Sequence, residues 1–410
     1  ARMKRILYLV HRNPAPPNRG HRIRAFNWLD YLSRRAVVDV AFLADEPVDD
    51  RVKTMLRARC GRFAFAPMLG KQRYLKGMLS LAMGRTATEG LFKHGQFRRL
   101  IRRWTTETAY DAVIVYCSSM VQYADAANLW RRCPVIVDLV DVDSQKWFDY
   151  AAKTGGVFRP LFELEGRRLR KLERSLPERA AAICLVSEAE AEVYRSFTDG
   201  GNVAAVENGV DLEYFSPGAN FVRLPKQPAS APAPSCVFIG ALDYRANVDG
   251  VCWFTQHVWP AIRKRFENAT FRLVGAGAGG AVAAAARREG VELVGDVPDV
   301  RPYLADATAA VIPLRVARGV QNKVLEAMAM AKPVVASPEA LEGIDCREGE
   351  DVCRADTPSE WVAALERVFT DADYARSLGE NARRTMETRY TWSARLAPLD
   401  ALLGLDSGDR

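Results

Sequence analysis

No two of the eight cysteines in this sequence stand at C-x-x-C spacing, which excludes a zinc knuckle and a dithiol redox motif. Several sit inside apolar runs, as in AAICLV and SCVFIG, so buried reduced thiols and a cytosolic compartment are expected. No apolar run approaches the length of a membrane span. The opening ARMKRILYLV lacks a signal-peptide layout, and Met3 is the expected natural start. Acidic residues are scarce in one place: Gly70–Trp104 carries nine Lys/Arg and a single acid, Glu89.

The 410 residues suit two domains, and 49% hydrophobic with 26% charged residues is ordinary for a globular protein. Charge is uneven. Residues 1–219 hold 35 Lys/Arg against 25 Asp/Glu, and residues 220–410 hold 23 against 25. In the basic stretch the charges interleave with Tyr74, Leu75, Met78, Leu79, Leu91, Phe97 and Ile101. A basic amphipathic segment of this kind fits an anionic membrane surface. The plainer alternative is a helical pair with an apolar core side and a solvated basic side. No nucleic-acid-binding motif accompanies it, so no nucleic-acid partner is expected.

The most informative stretch is Arg315–Ser337, RVARGVQNKVLEAMAMAKPVVAS. It reads as loop, short helix, stop and buried strand. The helix is expected over Val320–Ala331, with Val324, Leu325 and Met328 on its apolar side. Pro333 ends it. A helix start with open N–H groups, Lys323, Gly319 and the loop arginines Arg315 and Arg318 forms a place for an anion such as phosphate. Glu326, one turn in, is suited to accept hydrogen bonds from sugar hydroxyls.

The run G-V-Q-N-K-V-L-E-A-M-A-M-A-K-P-V-V-A-S resembles the C-terminal signature of glycosyltransferase family 4, whose fold is the two-domain GT-B. In that family two glutamates eight positions apart flank the donor. Glu326 matches the second and Lys323 the lysine before it, whereas Arg318 stands at the first. Ala331 takes a place where the family often has glycine. The segment A-R-G-V-Q-N-K-V-L-E-A-M-A most resembles the branch found with exosortase (PEP-CTERM) exopolysaccharide systems.

Other segments fall into the same frame. KRILYLV reads as a buried strand, HRNPAPPNRG as a loop, and HRIRAFNWLDYLSRR as a helix with Ile23, Phe26, Leu29 and Leu32 on one face. By resemblance Gly20 and His21 face the donor phosphates and acceptor; a solvated helix start is the alternative for His21. CPVIVDLVDVDSQKW reads as a strand running into Asp138, Asp141 and Asp143. Strand ends carry sites in open α/β sheets. Family 4 often ends this strand in His-Asp; here Val140 and Asp141 hold those places. Asp141 is the first candidate to orient an acceptor hydroxyl or act as its base. Asp138 and Asp143 are alternatives, and a helix-capping aspartate is the plainer reading.

Asn208-Gly209 is a strong turn signal, matching the family's N-G-v-D-x-x-x-F element, and is expected to border the cleft. GANFVRLPKQPASAPAPS is the linker candidate. The next domain opens with Gly240-Ala241-Leu242 where the family commonly has G-R-L. That leaves Arg245 and Asn247 as the polar residues of the loop, and Arg318 or Arg315 to supply the missing charge. Gly275, Gly277 and Gly280 match G-x-G-x-x-G, but the strand before them is not the first of its domain, so a dinucleotide site is discounted. By resemblance Asp296 and Val297 lie beside the nucleobase; a turn role is the alternative for Asp296.

The expected fold is α/β, GT-B, with two doubly wound Rossmann-like domains facing a central cleft. They cover 1–219 and 235–390, joined by 220–234, with the last helix (391–405) packing back on the first. The expected activity is transfer of a sugar from a nucleotide-diphosphate sugar to a hydroxyl of a polysaccharide or lipid-linked acceptor. By resemblance it retains anomeric configuration and needs no metal or cofactor. A cytoplasmic protein, peripheral on the inner face of the plasma membrane, is the expected setting. A sugar-nucleotide epimerase of the same fold and a scaffold that has lost catalysis are the alternatives.

Overall fold

Continuous apolar runs become strands buried on both faces, and such strands pair in parallel under helices. The computed structural model describes residues 2–405 apart from 18–19, 69, 71, 154–155, 157, 226–232 and 318, and excludes the side chains of His21, Gln72 and Lys153. The chain divides into two compact units, residues 1–207 with 396–410, and residues 208–395.

The first unit holds β1 (Arg5–Val10), β2 (Val37–Ala44), β3 (Arg62–Pro67), β4 (Ala112–Tyr116), β5 (Val135–Val140), β6 (Ala182–Leu185) and β7 (Val203–Ala205). They form a parallel sheet in the order β3-β2-β1-β4-β5-β6-β7. The second unit holds β8 (Ser235–Ile239), β9 (Thr270–Val274), β10 (Val291–Gly295), β11 (Ala309–Ile312), β12 (Val334–Ala336) and β13 (Cys353–Arg354). Their order is β10-β9-β8-β11-β12-β13, again all parallel. Both are doubly wound Rossmann-like sheets, with strand order reversing beside the first strand of each unit.

Residues 208–219, expected with the first unit, group with the second. Val210 bridges to Thr391, and a Cβ on Gly209 would stand 2.6 Å from the Trp392 nitrogen. The Arg383 guanidinium also donates to the carbonyls of Leu212, Phe215 and Ala329. The final segment is two short helices, Trp392–Leu396 and Pro398–Leu403, rather than one. Pro398 lacks the N–H needed to continue the first. Leu399 and Leu403 are buried in the first unit, where Tyr31 donates to Asp400 Oδ2 at 2.8 Å. Most of the linker expected at 220–234 lies outside the described residues.

The helix expected over Val320–Ala331 spans Asn322–Ala329. It starts late because Gln321 is extended. It ends in paired 6→1 and 5→2 hydrogen bonds, Lys332 N to Ala327 O and Ala331 N to Met328 O. That closure puts Ala331 at φ +52°, the left-handed region where glycine is the favoured residue. Ala331→Gly is therefore expected to stabilise the second unit by about 1 kcal/mol, read from its unfolding transition.

Candidate functional site

In the second unit the site is built on the C-terminal end of β8. Two glycines let the chain pass closely there. A Cβ on Gly240 would stand 2.9 Å from Asn247 Nδ2 and 3.4 Å from Lys323 Cε. Gly275, at φ +150°, would drive its Cβ into the Gly240 carbonyl oxygen. The G-x-G turn thus serves loop-to-loop approach, and Gly280, the third glycine of the spacing, has open space beside it.

Asn247 is buried and sits in the first turn of helix Arg245–His257. Its Nδ2 donates to the Ala241 carbonyl at 2.8 Å, which fixes the amide orientation. Its Oδ1 then accepts from Lys323 Nζ at 2.8 Å, and Gln321 Oε1 lies 3.5 Å from the same ammonium. Among the described residues these are neutral partners only, and Lys323 has no ion pair. Burial draws its pKa down to about 8, with Glu326 acting in the opposite direction. Lys323 lies in the first turn of helix Asn322–Ala329, whose N-terminus has no side-chain cap. Open N–H groups and an ammonium therefore share one end of a helix, an arrangement that attracts an anion. Asn208 joins this end by donating to Asn322 Oδ1 at 3.2 Å.

Glu326 lies one turn further along. Its carboxylate makes no hydrogen bond or ion pair among the described residues. Burial pushes its pKa up to about 7, which Lys323 opposes. A half-buried acceptor without donors is suited to hydroxyl groups.

In the first unit the site candidates gather at the ends of β4 and β5. Cys117 and Val140 both have positive φ, +73° and +68°. A β-branched residue there is a true backbone outlier, and such strain gathers at functional sites. Val140 turns the chain so that Asp141 leaves the sheet half-buried, its carboxylate making no hydrogen bond or ion pair among the described residues. Its pKa rises to about 7, from burial first and the Glu190 charge second, against Lys146. Asp143 is tied to the Ser118 hydroxyl at 2.5 Å.

Two family models match the sequence, "Glycosyl transferase 4-like domain" over residues 19–209 and "Glycosyl transferases group 1" over 233–371. Together they span more than half of the chain. The chain belongs to the GT-B glycosyltransferases. Sucrose-phosphate synthase from Thermosynechococcus elongatus shares its fold at TM-score 0.69 and 16% identity, over 97% of this chain and 98% of that one. HepE from Anabaena, solved with UDP and glucose, gives TM-score 0.68 and 15% identity over 98% and 100%. WaaG, a glycosyltransferase involved in lipopolysaccharide biosynthesis, gives 0.65 and 12% over 98% and 100%. No curated protein matches the sequence.

Not every residue expected in the site of this glycosyltransferase is placed to act there. Asp138 is fully buried, and both its oxygens accept from Arg24 at 2.8 Å. Arg24 also donates to the Val206 carbonyl. This closed, fully buried ion pair corrects the reading of Asp138 as catalytic, since neither oxygen is exposed to a substrate. Gly209 is explained by its approach to Trp392. Arg245 is exposed at its helix start with no described partner, and Arg315 lies 5.9 Å from the Trp253 ring. Asp296 is exposed and Val297 half-buried, both directly after β10. Gly319 is buried at φ +63°, and Gly20 opens helix Gly20–Ser33. Arg318 and the His21 side chain lie outside the described residues. The sequence reading passed over Gln321 and Asn322, although the polar Q-N-K run was a visible signal.

Four outcomes are expected. Pyrophosphate binding weakens tenfold or more as pH rises from 7 to 9, because Lys323 loses its proton near 8 and a charged hydrogen bond is worth about 1.5–3 kcal/mol. Lys323→Arg flattens that dependence, since guanidinium stays charged; isothermal titration across pH reads both. In denaturation of the first unit, Asp138→Ala costs about 3–5 kcal/mol by stranding Arg24. Asp141→Asn instead stabilises. The folded pKa of Asp141 is raised, so its wild-type contribution is lost as pH rises from 3.8 through about 7, and the gain from Asn grows over that window.

Proposed function

We propose that this glycosyltransferase moves a hexose from a nucleotide-diphosphate sugar to a hydroxyl of a growing polysaccharide or its lipid carrier, with retention, in exopolysaccharide assembly. The observation that carries the donor reading is Lys323, half-buried against Asn247 at the start of helix Asn322–Ala329, with Glu326, whose carboxylate has no partner among the described residues, one turn on. An anion site followed by a hydroxyl acceptor is the order of groups along a sugar nucleotide. HepE, of the same fold, has been solved with UDP-glucose. The resemblance of residues 317–329 to the exosortase branch supports the exopolysaccharide setting, at the cytoplasmic face of the plasma membrane.

In this reading the bond from the anomeric carbon to the diphosphate oxygen breaks, and its electrons leave with the diphosphate. Lys323 and the first-turn N–H groups stabilise that growing charge. Glu326 holds donor hydroxyls, and Asp296 and Val297 attend the base. In the first unit Asp141 orients the acceptor hydroxyl or takes its proton. Arg315 and Arg318 are the cations available to replace the arginine absent at Ala241.

The test is a thermal-shift screen of nucleotide sugars, followed by product analysis with a labelled donor and a hydroxyl acceptor. A new glycoside with the donor's anomeric configuration is expected, and Lys323→Ala lowers turnover on the order of a hundredfold. An isomerised sugar formed without acceptor would establish an epimerase instead. Failure to bind any nucleotide diphosphate would leave the scaffold reading.

A further inference from the structure

Helix Gln72–Ala82 is turned inside out. Its buried side consists of Gly77, Ser80 and Leu81, which face helix Ala87–Leu91. The contact is close enough that a Cβ on Gly90 would stand 2.5 Å from the Ser80 Cβ. The large apolar residues point the other way: Tyr74, Leu75, Met78 and Leu79, with Met83 just beyond the helix, are 52–65% exposed. Spacing of i, i+1, i+4 and i+5 puts the four helical ones on one face. Burial of small residues and exposure of large ones reverses the usual arrangement.

A second element carries the same feature. Helix Phe158–Arg174 exposes Phe158, Leu161 and Leu164. It is fastened by polar contacts to the end of helix Gln72–Ala82, the turn after it and the start of helix Ala87–Leu91. Glu165 accepts from the backbone nitrogens of Ala87 and Thr88 at 2.6 and 2.9 Å, and Arg168 donates to the carbonyls of Leu81 and Arg85. Eight of the fifteen large hydrophobics exposed among the described residues belong to these two segments. The other half of the basic stretch behaves differently. Helix Gly95–Glu107 buries Phe97, Ile101 and Trp104, so Arg98, Arg99, Arg102 and Arg103 form an ordinary solvated side.

We infer that Tyr74–Met83 and Phe158–Leu164 together form a platform that seats in the interfacial zone of an anionic lipid bilayer. Charge selects this occupant. Helix Gln72–Ala82 contains no acid; the Arg73 guanidinium lies 5.1 Å from the Tyr74 ring, and Lys76 is exposed next to Leu75. Two copies docked through this face would oppose like charges, whereas anionic headgroups complement them. An apolar helix face edged with cations is the form of an in-plane membrane anchor. Among the described residues no helix is long and apolar enough to cross a membrane, so contact is from one side.

The test is co-sedimentation of the full chain with vesicles of phosphatidylcholine, alone and mixed with phosphatidylglycerol. Binding is expected to the mixed vesicles and to be weaker without phosphatidylglycerol. The double change Leu75→Glu with Leu79→Glu, and separately Phe158→Glu with Leu161→Glu, each lower partition at least tenfold. Arg73→Gln and Lys76→Gln lower it on the order of fivefold per charge, on the anionic vesicles only. All four side chains replaced by glutamate are exposed, and pyrophosphate binding by the same variants stays at the wild-type level. That control separates failure of this inference from failure of the donor reading. Three results would overturn it: no binding to anionic vesicles, binding that survives either glutamate pair, or a lipid-free dimer dispersed by the same changes.

Discussion

A lysine withdrawn from water needs a partner, and Lys323 is offered the carbonyl oxygen of an amide rather than a carboxylate. That choice sets the chemistry of the second unit. A carboxylate in the place of Asn247 would neutralise the ammonium and leave nothing for a ligand. The neutral amide holds the side chain in position with no ion pair among the described residues, and burial lowers the pKa against the weaker opposing pull of Glu326. In the proposed function, an arriving diphosphate meets that charge together with the start of a helix.

The surrounding backbone is shaped to let this happen. Gly240 and Gly275 are required because two strand-end loops and two side chains converge on one point. Gly250 does similar work nearby, where a Cβ would stand 3.0 Å from the Pro313 carbonyl carbon and press helix Arg245–His257 away from the sheet. The first unit reaches its working end by another route. It bends the chain through non-glycine residues at positive φ, Cys117 and Val140, and that strain is supported by the buried strands β4 and β5 that lead into them.

Much of this was readable in the sequence because it depends on local pattern. The apolar runs of both sheets, the helix before Pro333 and the helix Gly20–Ser33 follow from periodicity and stop signals alone. The resemblance at Arg315–Ser337 supplied Lys323 and Glu326. Less readable were features set by residues far apart in the chain. Asp138 and Asp141 look alike three positions apart, and only the arrival of Arg24, 114 positions away, makes one of them structural. The same arginine lies in a helix whose spacing marks it for the solvent side, yet it is buried with its neighbour Arg22. The basic stretch at 70–104 read as a single amphipathic unit. Its halves part because Phe97, Ile101 and Trp104 have a core to enter, while Gly77 and Ser80 fill the buried side of the other helix.

Every strand in either sheet runs in the same direction. Each unit therefore delivers its chain crossings for chemistry at a single rim, and the opposite rim carries only returns. Loops at the working rim are free to be lengthened, shortened or exchanged without disturbing the packed layers below. A protein built this way acquires a new donor or acceptor preference by editing connections, and the hydrophobic interior need not be redesigned each time.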